Sequence, residues 1–434
     1  MSTLDINQIA RRAKDAYLEL LGCSEADKNE ALRAIARRLS EREAEVIGAN
    51  RLDLEAAQQA IHAGEMTVAA SKRLICDSKK LKNVIDGIGQ VIALPDPTGR
   101  LLESTVLDEG LVLDRISCAL GVVGVIFESR PEVVVQVSSL LLKAGNAGIL
   151  KGGKEARHTN AVLMETIRDA LEKAGSVPRD ALQLLSDRRQ IQELLACDDS
   201  VDLLIPRGSK ELIKFIQANT KIPVLGHAEG ICHVFIHRAA DPEKALRVVI
   251  DSKTEYPAVC NAVETILIDQ AAPDSLMANL IRALQQSNVS ILGCPRIVEK
   301  FNHLEKASEE DWSTEYLDLK VSLKIVDDLK QAVRHINDYG SHHTDAIVTE
   351  DRQAAEQFCR YVDSAGVFVN ASTRFSDGYR YGLGAEIGIS TNKVHARGPV
   401  GLDGVVTYKY QLRGEGHIVA DYNSNRRRFK WLKR

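Results

Sequence analysis

The sequence predicts an α/β protein built on a doubly wound parallel sheet, and three observations carry that expectation. Short apolar runs suited to strands buried on both faces occur at G-V-V-G-V-I-F, 121–127, and A-G-I-L-K-G-G, 147–153. Each is followed by residues at helical spacing, first V-V-V-Q-V-S-S-L-L-L-K-A closed by Gly145, then 155–174. Strand, helix, strand, helix in that order is how parallel sheets are wound. The third observation is that the alternation resumes from V-E-T-I-L-I-D through V-S-I-L-G, V-S-L-K-I-V, D-A-I-V-T and A-G-V-F-V-N, which predicts a second α/β domain.

The remaining elements follow in chain order. The first ninety residues read as amphipathic helices, with apolar residues at helical spacing in I-A-R-R-A-K-D-A-Y-L-E-L-L and A-L-R-A-I-A-R-R-L-S. The turn-rich L-P-D-P-T-G-R, 94–100, ends this block, and alternating residues at 101–118 predict a hairpin turning at Glu109-Gly110. Beyond the second helix come L-Q-L-L, V-D-L-L-I-P, a helix from Ser209, and strands I-P-V-L-G and C-H-V-F-I. A helix near residue 243 then leads into D-S-K-T-E-Y-P-A-V-C-N-A-V-E-T, 251–265.

Composition narrows the class of function. A chain of 434 residues, 44% hydrophobic and 27% charged, is ordinary globular material long enough for two or three domains. With 56 basic against 60 acidic residues the charge is too even for a general nucleic-acid or membrane partner. The eight cysteines are scattered, without C-x-x-C or metal-ligand spacing, so neither a disulfide framework nor a metal site is expected. No signal peptide and no membrane-spanning run is visible, and a cytoplasmic protein is expected.

Several segments carry chemistry without deciding it. G-x-G-x-x-G is absent. In I-P-R-G-S-K a strand gives way through Gly208 and Ser209 to a helix, either an anion-binding turn or an ordinary connection. Lys151 and Lys154 stand at the carboxyl end of a strand, where phosphates bind in such sheets, but a solvated lysine pair reads as well. The loop A-S-T-R-F-S-D-G-Y-R-Y-G-L-G-A-E-I-G-I-S, 371–390, suits a polar substrate or a purely structural turn. Cys260 as a nucleophile needs a cationic neighbour or helix terminus, and the adjacent sequence offers only Lys253.

Taken in order, G-V-V-G-V-I, I-L-K-G-G, I-P-R-G-S, the cysteine segment and V-N with its glycine-rich loop resemble the aldehyde dehydrogenase superfamily. More narrowly, K-T-E-Y-P-A-V-C-N-A-V-E-T, G-S-H-H-T-D-A-I-V-T-E-D and V-N-A-S-T-R-F-S-D-G-Y-R-Y-G-L-G-A-E-I-G-I-S-T-N-K-V-H-A-R-G-P-V-G-L are similar to the gamma-glutamyl phosphate reductases. They resemble equally the C-terminal domain of the pyrroline-5-carboxylate synthases. The likeness starts near residue 5, leaving no room for the kinase domain of those proteins, so a separate glutamate 5-kinase is expected as source of the substrate.

The resemblance implies Cys260 as nucleophile, Gly208 and Ser209 on the cofactor pyrophosphate, Lys151 on the adenosine ribose and Glu315 on the nicotinamide ribose. It also implies departures from general aldehyde dehydrogenases. Arg130, in E-S-R-P, replaces the oxyanion-hole asparagine and is expected on the departing phosphate or the thiohemiacetal oxygen. His227, in G-H-A-E-G-I, lies near the position of the hydrolytic glutamate, so the acyl intermediate should be reduced and not hydrolysed. Lys154 stands where NAD-preferring relatives have a glutamate, which favours the 2′-phosphate of NADPH. Arg374, Asp377 and Ser372 are the candidates for the amino-acid end of L-glutamyl 5-phosphate. His343 and Thr344 belong to the similar motif without a derived role.

The implied architecture is a cofactor domain, 1–251, with 101–118 in an oligomerisation flap, a smaller catalytic domain, 252–395, and a return segment, 396–434. A homodimer or homotetramer follows. The implied reaction is NADPH-dependent reduction of L-glutamyl 5-phosphate to L-glutamate 5-semialdehyde, the second step of proline biosynthesis from glutamate. The alternatives are a dehydrogenase of free aldehydes with the same fold and a non-catalytic binding protein. The basic tail R-R-R-F-K-W-L-K-R is expected to be disordered or docked at an interface.

Overall fold

In the computed structural model, which describes residues 5–187, 189–226 and 229–433, the N-terminal region forms the expected helices, chiefly Ile6–Leu20, Glu25–Glu41, Glu43–His62 and Ser78–Ala93. Their ends are set locally. Ser24 and Asp27 form a reciprocal capping box, and the Asp77 carboxylate accepts from the Lys80 amide at 2.8 Å. The second helix buries Ala31, Leu32, Ile35 and Leu39, one stripe at helical spacing.

The chain divides into two units. The first comprises the chain up to Leu225, with Leu383–Gly388 and the chain from Val400; the second comprises Gly226–Gly382 and Ile389–Pro399. The sequence-based division at 251 differs, because the strand Cys232–Ile236 is hydrogen-bonded on both sides within the sheet of the second unit.

Strands of the first unit are β1 (Leu101–Asp108), β2 (Leu111–Ala119), β3 (Val122–Phe127), β4 (Ala147–Lys151), β5 (Leu182–Leu185) and β6 (Leu203–Arg207). The last four form a parallel sheet in the order β5-β4-β3-β6, so the winding reverses beside β3. Every residue of β3 and β4 is buried, which is why both read as unbroken apolar runs. Gly121 precedes β3 because Asp202 occupies its side-chain space: a Cβ there would lie 2.0 Å from Asp202 Oδ2, which accepts from the Val122 amide at 2.8 Å. The expected strand I-P-V-L-G reduces to one bridge between Leu204 and Val224.

The hairpin β1–β2 turns at Glu109-Gly110 as expected and is flanked by Val406–Arg413 on β2 and Leu432–Lys433 on β1, all antiparallel. The basic tail packs on this flap. Tyr422, Phe429 and Trp431 stack in sequence at 4.2 and 5.3 Å, and Lys433 pairs with Glu103 at 2.7 Å.

The second unit holds β7 (Cys232–Ile236), β8 (Val263–Asp269), β9 (Ser290–Gly293), β10 (Glu305–Lys306), β11 (Lys320–Val326), β12 (Thr344–Val348) and β13 (Gly366–Val369). They make one parallel sheet, β10-β9-β11-β8-β7-β12-β13. Strand alternation sends Val234, Ile236, Ile266 and Ile268 into one apolar layer, and Phe235, Leu267 and Ile347 into another. Among the described residues no helix is long and apolar enough to cross a membrane.

Candidate active site

Cys260 occupies a turn between the helix Pro242–Thr254 and β8. The helix begins at Asp241, whose carboxylate accepts from the Lys244 amide at 2.8 Å, with Pro242 in the first turn where its missing N–H costs nothing. Pro257 lies beyond its end and cannot prolong it.

The turn is fixed from several sides. A Cβ on Gly230 would lie 2.0 Å from the Cys260 carbonyl oxygen and 2.4 Å from its Cα, so only glycine lets the two backbones approach. The Gly230 N–H donates to Glu315 Oε1 at 2.9 Å, which places Glu315 one residue removed from the cysteine. Cys232 Sγ donates to the Cys260 carbonyl at 3.2 Å. Asn261 Nδ2 donates to the Ser376 carbonyl at 2.8 Å, and the Thr373 hydroxyl donates to the Asn261 carbonyl at 2.6 Å.

The other cysteines are poor nucleophiles. Burial pushes up the thiols of Cys23, Cys76, Cys118, Cys197, Cys232 and Cys359, that of Cys76 to about 11, and Cys294 is buried in the core. Cys260 is half-buried in its turn.

Lys253, the cation that the adjacent sequence offers, is turned inward. Its ammonium is fully buried and lies 2.6 Å from Glu264 Oε2, also fully buried. Desolvation dominates both groups, raising the Glu264 carboxyl to about 7 and lowering the Lys253 ammonium. Lys253 therefore ties the end of its helix to Glu264, the second residue of β8 and four positions after the cysteine.

The residues expected on the amino-acid end of the substrate gather in the loop 372–380, and their polar groups bond to the loop itself and to Ser252 and Glu255. Arg374 is 7% exposed, and its Nε and Nη2 lie 2.8 and 2.7 Å from Glu255 Oε2. Asp377 Oδ1 accepts from the amides of Tyr379 and Arg380 at 3.0 and 3.1 Å. Ser372 Oγ accepts from the Ser252 hydroxyl at 3.1 Å and from the Arg374 amide at 3.2 Å. In the same unit His343 Nδ1 lies 2.9 Å from the Thr344 hydroxyl and 3.8 Å from Cys232 Sγ, so that motif borders the support beneath the cysteine turn.

In the first unit, a cavity of about 750 Å³ opens at the carboxyl ends of β3, β4 and β5, lined by Lys151, Lys154, Arg189, Ser209 and Phe215 among others. Its size is that of small-molecule sites, roughly 300–1,000 Å³, and it lies where ligands bind in sheets whose winding reverses. Exposed Lys154 and Arg189 stand on its rim, Arg189 paired with Asp187 at 2.9 Å, and the carboxylates of Glu128, Glu155 and Glu211 line it as well. Gly208 and Ser209 lie at the turn between β6 and the helix Lys210–Ala218, where the Ser209 N–H donates to Glu128 Oε2 at 2.8 Å. A carboxylate thus stands at the amide expected to meet a pyrophosphate, and that anion would have to take its place. Arg130 is exposed on the loop after β3. His227 lies outside the described residues.

Sequence reasoning passed over Glu255, Arg380, Gly230, Cys232 and Arg189. Glu255 and Arg380 stood within quoted segments, K-T-E-Y-P and D-G-Y-R-Y, but neither spacing nor composition pairs residues so far apart.

Residues 1–291 match the profile of the aldehyde dehydrogenase family. The chain is 49% identical over 427 residues to the gamma-glutamyl phosphate reductase of Acetivibrio thermocellus, covering 98% of each protein. It is 50% identical over 430 residues to that of Pelotomaculum thermopropionicum, covering 99% of this chain and 98% of the relative. The fold is similar to the crystal structure of a gamma-glutamyl phosphate reductase from Thermotoga maritima, with a TM-score of 0.92, 37% identity, and coverage of 96% of this chain and 100% of that one.

Proposed function

This chain belongs to the aldehyde dehydrogenase family, among the gamma-glutamyl phosphate reductases, and from that premise we propose that it reduces L-glutamyl 5-phosphate to L-glutamate 5-semialdehyde and phosphate. It is an oxidoreductase, and the reaction is the second step in making proline from glutamate. The observation that carries the residue assignment is the turn of Cys260, a half-buried thiol on a backbone held by Gly230, Cys232 and Thr373.

In the proposed mechanism the Cys260 thiolate attacks the acyl carbon, an S–C bond forms, and the C–O bond to phosphate breaks. The carbonyl and the following residue of Cys260 are pinned, which limits backbone movement of the turn that carries the thiol. The nicotinamide cofactor, when bound, supplies the hydride that reduces the acyl carbon. The thiohemiacetal on Cys260 then collapses, breaking the S–C bond and releasing the aldehyde. Arg130 is assigned, on the resemblance, to the phosphate or the oxyanion, and His227 to the place of the missing hydrolytic base. Glu315 is assigned to the nicotinamide ribose.

The proposed cofactor is NADPH. What supports this is exposed Lys154 on the rim of the first-unit cavity, a cation suited to a 2′-phosphate, with Phe215 as an apolar wall, although Glu128, Glu155 and Glu211 line the same cavity. The proposed assembly is a homodimer or homotetramer in the cytoplasm, fed by a separate glutamate 5-kinase.

The test runs the reaction backwards, because the acyl phosphate is labile. Glutamate semialdehyde, phosphate and NADP+ should give reduced cofactor, and Cys260→Ala should abolish the signal. Reduction that proceeds equally without phosphate would replace this reading with a dehydrogenase of free aldehydes.

A further inference from the structure

We infer that Glu255 and Arg380 grip the amino-acid end of the substrate, Glu255 taking the α-ammonium and Arg380 the α-carboxylate. The inference rests on the reaction proposed above and names the side chains that make the enzyme specific for an amino acid. It displaces Arg374, Asp377 and Ser372 from that role.

Not every charge on the segments flanking Cys260 retains capacity for a ligand. Arg374 does not, since it is 7% exposed, its Nε and Nη2 lie against Glu255 Oε2, and its carbonyl accepts from Arg380 Nη1 at 2.7 Å. Asp377 is fixed against the backbone as the cap of its own turn, its Oδ1 accepting from two amides, and Ser372 is joined to Ser252. Glu255 and Arg380 remain, with side chains 43% and 34% exposed. They face each other at 3.4 Å, well beyond the roughly 2.7–2.9 Å of a tight charge-assisted bond. A carboxylate offers about four acceptor sites and a guanidinium five donors, so each has room for another partner.

Glu255 lies five residues before Cys260. The loop bearing Arg380 is bonded to the residue after Cys260, through Asn261 Nδ2 to the Ser376 carbonyl and the Thr373 hydroxyl to the Asn261 carbonyl. Both flanks of the cysteine turn are thereby connected to the pair. A carboxylate beside a guanidinium is complementary to an ammonium beside a carboxylate, which is the head of an α-amino acid. Tyr256, Phe375 and Tyr379 are 52%, 54% and 69% exposed on the same segments, apolar surface that suits the substrate methylenes. Buried Arg374 is a positioning residue that holds the Glu255 carboxylate in place.

The test compares three aldehydes in the phosphate-dependent reverse assay. These are glutamate semialdehyde, 5-oxopentanoate, which lacks the α-ammonium, and 4-aminobutanal, which lacks the α-carboxylate. The wild type should prefer glutamate semialdehyde over each by on the order of 10²-fold or more in kcat/KM. Glu255→Gln should collapse the preference over 5-oxopentanoate to within about tenfold, and Arg380→Gln the preference over 4-aminobutanal, with Arg380→Lys restoring part of it. A ratio of two substrates is unaffected by loss of folded enzyme, because both report the same active fraction. Ratios unchanged in both glutamine variants would overturn the assignment. A wild type with no phosphate-dependent turnover would overturn the parent reading and the inference with it.

Discussion

His335 shows how a single side chain links the interior to solution conditions. It is 5% exposed, Lys324 Nζ donates to its Nδ1 at 3.1 Å, and His233, Trp312 and Tyr339 surround the ring. Burial first, then the neighbouring His233 and Lys324, push its pKa from 6.5 down to about 2. The unfolded chain therefore binds a proton below pH 6.5 while the native ring stays neutral, and stability falls as pH drops from 6.5 towards 2. The slope approaches about 1.4 kcal/mol per pH unit for this one group. Urea midpoints at pH 7.5 and 5.5 should show the loss, and His335→Gln, which keeps an acceptor for Lys324, should remove much of it. An unchanged pH dependence in the variant would exclude His335 as its source.

At the scale of elements, the cysteine turn depends on the approach of the segment before β7. Gly230→Ala places a Cβ 2.0 Å from the Cys260 carbonyl oxygen, so one backbone has to retreat by about an ångström. Misplacement of that size costs on the order of 10²-fold in turnover. The expected result is such a fall in kcat, with circular dichroism showing a retained fold; full activity would mean that the turn does not need this contact. Most elements were legible because the chain is locally consistent: unbroken apolar runs became doubly buried strands and helical stripes became helices. The strand expected at I-P-V-L-G shrank to a bridge, and Lys253, adjacent to the cysteine in sequence, turned to Glu264. For Lys253 a buried carboxylate eleven residues on decided its direction, which the local pattern does not show.

On the scale of the whole molecule, the flap presents one open edge. Among the described residues Val406–Arg413 pairs with β2 on one side only, and Tyr408, Tyr410 and Leu412 on it are 50%, 60% and 58% exposed. The opposite edge is shielded by the tail strand on β1. An open strand with exposed aromatics invites pairing with a second copy. Light scattering should give a multiple of the 47.7 kDa chain mass, and Tyr410→Glu should shift the protein towards the monomer. A monomeric wild type would contradict this use of the edge.

The sequence by itself determined the fold class, the order of nearly every strand and helix, the family, and the cysteine to suspect, because these depend on periodicity and on long contiguous motifs. Tertiary structure decided which charges are available. Arg374 and Arg380 are equivalent as letters, yet one is sealed against Glu255 while the other remains part-exposed. It also decided that Gly230 backs the cysteine turn and that the tail belongs to the flap. Burial and pairing arise from residues tens to hundreds of positions apart, and desolvation, which sets whether a charge can meet a ligand, has no local trace in the sequence.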